Sequence, residues 1–158
     1  MSDTRHRLTR VTLDETTLVA RGPDAEHERE VAIFDLLQDN VFQVVGNESG
    51  PYVLNLGVHD SRLSLDIGDE AGNSVRKLAL PFALFRSLVR DYFTICEAYY
   101  DAIKTASRSR IETLDMGRRS LHDEGAGLLR ERLSGVIEID DLTSRRLFTL
   151  ICALHFKG

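Results

Sequence analysis

A chain of 158 residues has the length of one domain, 1–158, and 42% apolar against 28% charged residues is the composition of an ordinary globular core. The 25 acidic residues outnumber the 20 basic ones, for a formal net charge of −5, which speaks against a broad polyanion-binding surface and so against nucleic acid as a partner. With 3 Pro, 11 Gly and 2 Cys the chain is neither a low-complexity tract nor a disulfide scaffold.

In chain order, the apolar alternation from Leu8 to Leu13 predicts a short strand. The turn residues of GPD at 22–24 follow, with Asp24 placed to cap a helix running to about Asp39. Val41–Val45, Tyr52–His59, Leu63–Ile67 and Val75–Leu80 then read as strands, separated by GNESGP, HDSR and GDEAGN. Turns this short favour consecutive antiparallel pairing, a meander.

After Pro81 the period becomes helical. Phe85, Leu88, Val89, Tyr92, Cys96, Tyr99 and Ile103 form one stripe, and Phe82, Phe93 and Tyr100 add apolar surface elsewhere, which predicts a central helix. Ser109 to Glu112 has the capping-box pattern for a third helix, Gly135 suits its C′ position, and Gly125 and Gly127 threaten to break it early. A last helix, from Asp140 to about His155, carries Leu142, Leu147, Phe148, Leu150, Ile151 and Leu154 around much of its circumference. A domain this small is not expected to cover all of that surface, so a homodimer is the expected outlet. Strands first and helices last indicate an α+β fold: a four- to five-stranded antiparallel meander sheet with three to four helices packed on one face.

The third helix carries an anomaly. Ile111, Leu114, Leu121, Leu128 and Leu129 define its apolar arc, yet Arg118 projects near the middle of that arc with His122 beside it. A guanidinium at a core position must find a carboxylate, carbonyls or a bound anion. In the first helix Glu26, His27 and Glu30 intrude on the apolar side in the same way, so Glu30 is the first-choice partner for Arg118, Glu26 the second, with Asp115 close enough to join. Such a buried pair is purely structural.

The same residues also allow ligand chemistry. Arg118, Arg119, His122 and Asp115 make a candidate binding site for a small anion, a phosphate or carboxylate. His122, His27 and Glu30 are the candidates for acid–base work, although no evident nucleophile accompanies them. A metal site from His27, Glu30, His122 and Asp123 or Asp115 is disfavoured by the neighbouring Arg118 charge and the lack of any metal motif, so no metal is expected. No glycine-rich phosphate loop is present, and no cofactor is expected. Cys96 and Cys152 sit in apolar helical settings and read as free core thiols. His59 falls in a hairpin turn, and His6 and His155 lie near the termini.

The N-terminus MSDTRHRLTR lacks the apolar centre of a signal peptide, and no uncharged apolar run approaches the ~18 residues of a membrane span, so a cytoplasmic protein without a membrane partner is expected. The segments EHEREVAIFDLLQDN, DYFTICEAYYDAI, IETLDMGRRSLHDEGAGLLRERL and RRLFTLICALH resemble those of a short alphaproteobacterial family of uncharacterised proteins of the UPF (function unknown) kind. The resemblance spans essentially the whole chain. It implies a cytoplasmic housekeeping role and brings no catalytic residues with it. The expected function is therefore a non-catalytic binding or regulatory module acting through protein–protein association, with an anion-handling enzyme or ligand sensor built on the Arg/His/acid cluster as the alternative.

Overall fold

Four helices and a mixed four-stranded sheet are found in the computed structural model, which describes residues 4–18 and 22–154. In chain order these are β1 (Leu8–Leu13), a 3-10 turn (Glu15–Thr17), α1 (Pro23–Gln38), β2 (Phe42–Val44), β3 (Tyr52–His59), β4 (Arg62–Asp69) and β5 (Ser74–Pro81), then α2 (Ala83–Thr105), α3 (Arg108–Leu133), β6 (Ile137–Ile139) and α4 (Asp141–Ala153). The α+β class and four helices agree with expectation. His155 lies outside the described residues.

The sheet corrects the expected meander. β3, β4 and β5 do pair antiparallel in sequence, with Leu54 opposite Ile67 and Leu65 opposite Leu78. β1, however, pairs parallel to β3, with Val11 opposite Leu54 and Leu13 opposite Leu56. The cause is α1, whose 16 residues lie between the two strands and provide the long crossover that a parallel pair requires. β2 leaves the sheet altogether and pairs antiparallel with β6, Phe42 opposite Ile139, in a separate two-stranded ribbon. The VIEI segment that forms β6 is too short to show a period of its own.

Helix boundaries follow local chemistry. Gly22, at positive φ, is the residue before α1, and Pro23 takes the first helical position, so Asp24 lies inside the first turn rather than capping it. Ser107, two residues ahead of the expected box, caps α3 by accepting from the Arg110 N–H at 3.2 Å. Gly135 follows the helix at φ 86°, a left-handed conformation that closes a helix cheaply only with glycine. Asp140 caps α4 by accepting from the Thr143 N–H at 2.8 Å. Gly125 does not break α3. A Cβ there would stand 2.1 Å from the Phe148 ring, so the glycine is what lets α3 and α4 approach.

The buried helix is α4, not α2. Leu147, Phe148, Leu150, Ile151, Cys152 and Leu154 are all enclosed, because α1 packs along one side of α4, α3 along the other, and the inner sheet residues Leu54, Leu56, Leu63 and Leu65 belong to the same core. Apart from Leu142, which is exposed, the α4 surface from which a homodimer was expected is thus covered within one copy. α2 instead pairs with α3 at the flank. These two helices have 23 and 26 residues against 13 in α4, about 35 and 39 Å against about 20 Å, so their joined ends extend past the last turn of α4. There Tyr100, Ile103 and Met116 are exposed.

A buried arginine does exist, but it is Arg29 of α1, 7% exposed. Its Nε donates to the Ala153 carbonyl at 3.0 Å and its Nη2 to the Leu154 carbonyl at 2.6 Å. The last carbonyls of a helix have no partner within it, and a cation is favoured at the negative end of the helix dipole. Arg29 therefore caps α4 from a neighbouring helix. Further along, Arg146 Nη1 donates to the Asp35 and Asp39 carbonyls at 2.7 and 3.2 Å, which ties the opposite end of α1 to the start of α4.

Candidate functional site

Where α2, α3 and α4 meet, Tyr92, Arg118, Arg119, His122, Asp123, Arg145 and Thr149 line an open cavity of about 560 Å³. Helical spacing assembles it. Arg118, Arg119, His122 and Asp123 fall within two turns of α3, and Asp141, Arg145 and Thr149 repeat every four residues along α4, one above the other. Tyr92 enters from α2, its ring centroid 5.6 Å from that of His122, which in turn lies 5.5 Å from the Phe148 ring.

Each guanidinium is held by an aspartate. Asp115 takes Arg118 Nη2 on one oxygen at 2.6 Å and Arg119 Nη2 on the other at 3.2 Å. The hydrogen bond from Arg118 keeps the Asp115 carboxyl below the ordinary carboxylate range. Arg145 reaches Asp123 through Nη2 at 2.9 Å and Asp141 through Nε at 3.0 Å. Arg118 also lies over the Tyr99 ring, 5.1 Å from its centroid. Its Nε is buried and meets no hydrogen-bond partner among the described residues. Such an orphan donor is rare in folded proteins and calls for an acceptor.

His122 is half-buried, and desolvation lowers its pKa below the ordinary 6.5, so the ring is neutral at pH 7. Its Nε2 lies 2.7 Å from the Thr149 hydroxyl oxygen. That hydroxyl also lies 3.0 Å from the Arg145 carbonyl; with its proton on that carbonyl, Nε2 is the donor and Nδ1 carries the lone pair of the neutral ring. The Tyr92 hydroxyl faces Cys96 and Arg118, and burial pushes its pKa well up. Burial raises both thiols as well, consistent with Cys96 and Cys152 as unreactive packing residues.

The expected cluster is therefore brought together in part. Arg118, Arg119, His122 and Asp115 converge as predicted. Glu30, Glu26 and His27 do not join them, because α4 stands between α1 and α3. Glu26 and Glu30 instead border a separate cavity of about 430 Å³ beside Arg29 and the end of β1, and His27 is exposed on α1. Arg118 pairs within its own helix and is 30% exposed rather than buried against α1. No group of three His, Cys, Asp or Glu among the described residues is arranged to hold a metal ion. Arg145 and Thr149 were passed over because the apolar residues of α4 dominate its pattern. Their four-residue spacing with Asp141 was the available signal.

Fold and cavity define a small α+β protein with a polar, arginine-lined pocket among three helices. The chain belongs to the uncharacterised protein family UPF0262, whose profile matches residues 5–157. It is 55% identical to a UPF0262 protein of Hyphomonas neptunium over 150 residues, covering 95% of this chain and 93% of the relative. It is 54% identical to one of Azorhizobium caulinodans over 155 residues (97% and 96%), and 50% identical to one of Nitrobacter winogradskyi over 156 residues (99% and 93%). The resemblance to an alphaproteobacterial family of uncharacterised proteins is thereby established. No solved structure matches the chain. No helix among the described residues is long and apolar enough to cross a membrane.

Proposed function

We propose that this protein is a non-catalytic binding protein that holds a small anion in the cavity between α2, α3 and α4. The observation that carries the proposal is the convergence of Arg118, Arg119 and Arg145 on one cavity of ligand size. Guanidiniums pre-set by aspartates lose little side-chain freedom when an anion arrives, which favours binding. The enzyme alternative is weaker, since His122 Nε2 is tied to Thr149 and burial leaves both thiols unreactive. Calorimetric titration with inorganic phosphate at low ionic strength tests the proposal. Saturable binding that is lost in Arg118→Ala and in Arg119→Ala is expected. Absence of binding, or binding that both variants retain, rejects it.

Self-association is a second reading, favoured by a different feature. The α2 stripe of Phe85, Val89, Tyr92 and Cys96 continues to Ile103 past the end of α4, where Ile103 and the neighbouring Tyr100 are exposed. This surface, rather than α4, is the place for a homodimer or a protein partner.

A further inference from the structure

We infer that the ligand of this cavity is a zwitterion, with a phosphate or carboxylate held between Arg118 and Arg119 and an ammonium group held against Asp123. The inference rests on the anion-binding reading above and specifies its ligand. It follows from how charge is divided along the cavity.

At one end Arg118 and Arg119 share a single carboxylate, Asp115, so two positive charges meet one negative. At the other end Arg145 is flanked by two carboxylates, Asp123 and Asp141, so one positive charge meets two negative. The groups between them, Tyr92, His122 and Thr149, are polar but neutral at pH 7. Counting Asp115 and Asp141, which pair with the lining arginines without lining the cavity themselves, the charges balance, with the surplus positive at the Arg118–Arg119 end and negative around Arg145. A simple anion would satisfy the first end and be repelled by the second, whereas a ligand carrying both signs satisfies both.

Helix geometry sets the span. Asp123 follows Arg119 by four residues on α3, and at 1.5 Å per residue the two ends lie about 6 Å apart along the axis. An anionic group and an amine separated by two or three carbons match that distance, and the volume of about 560 Å³ accommodates such a molecule in one layer of side chains and water.

Competitive calorimetry on the full chain tests this with five probes: inorganic phosphate, ethanolamine, phosphoethanolamine, butyrate and γ-aminobutyrate. Phosphoethanolamine is expected to bind about tenfold or more tightly than phosphate or ethanolamine, or γ-aminobutyrate likewise over butyrate, and the two pairs separate a phosphate ligand from a carboxylate one. Asp123→Asn should abolish that preference. Phosphate bound as tightly as phosphoethanolamine, with no preference in the carboxylate pair, overturns the zwitterion and leaves the anion site standing. A preference that survives in Asp123→Asn overturns the placement of the amine and with it the inference. If none of the anionic probes binds, the anion reading itself has failed.

Discussion

Replacing Arg29 by methionine should destabilise the protein far more than the same change at Arg118, although Arg118 is the residue that the sequence pattern marks as anomalous. Arg29 is 7% exposed and supplies two charge-assisted hydrogen bonds to the final carbonyls of α4. Methionine keeps the apolar stem and removes only the donors. Hydrogen bonds to charged groups contribute about 1.5–3 kcal/mol each, and the helix-end charge adds up to about 1 kcal/mol, against which stands the cost of burying the guanidinium. A net loss of about 2–4 kcal/mol is expected, or roughly 5–15 °C in Tm for a domain of this size. Arg118 has a side chain 30% exposed and a partner on its own helix, so Arg118→Met should cost no more than about 1 kcal/mol. Thermal and urea unfolding followed by circular dichroism measure both. An Arg29→Met protein that melts with the wild type, or an Arg118→Met protein that loses as much, refutes the assignment of Arg29 as the cap of α4.

Gly125→Ala should cost about 1–3 kcal/mol, because its Cβ would stand 2.1 Å from Phe148, and Phe148→Leu in the same chain should recover part of that loss in a double-mutant cycle. Burial lowers the His122 pKa, so the unfolded chain takes up the proton first: stability is full above the unfolded value near 6.5 and falls as pH drops below it. Wild-type Tm should accordingly decline more steeply between pH 7 and about 5.5 than that of His122→Gln, and parallel curves would show that the ring does not titrate in this way. If the protein self-associates through the α2–α3 ends, Ile103→Glu should shift the light-scattering mass to that of a monomer without lowering Tm, and an unchanged mass excludes that surface.

The elements with strong periods were readable from residues alone. The alternation in Tyr52–His59 and Leu63–Ile67 specified β3 and β4 and their pairing, and the α2 stripe specified its packed face. What could not be read was order in space. Nothing local in Leu8–Leu13 distinguishes a parallel strand from an antiparallel one, and the three-residue β2 and β6 carry no period with which to announce their pairing. The same limit applies to the site. Asp115, Arg118, Arg119 and His122 share one helix, so spacing alone brings them together, whereas joining them to Glu30 required knowing that α4 intervenes. Arg29 escaped notice because a charged residue among Glu26, Glu28 and Glu30 looks like part of a solvated face, and its buried role appears only once the end of α4 is in place.

An anion-binding protein must admit an anion to the cavity beside His122. Nuclear magnetic resonance of the His122 imidazole across pH, with and without inorganic phosphate, reads this most directly. Without phosphate the ring should titrate below 6.5, with the neutral form carrying its proton on Nε2. Phosphate held by Arg118 and Arg119 favours the imidazolium, so its addition should move the titration upward in wild type and not in Arg119→Ala. An His122 titration that phosphate leaves in place would contradict the proposed function.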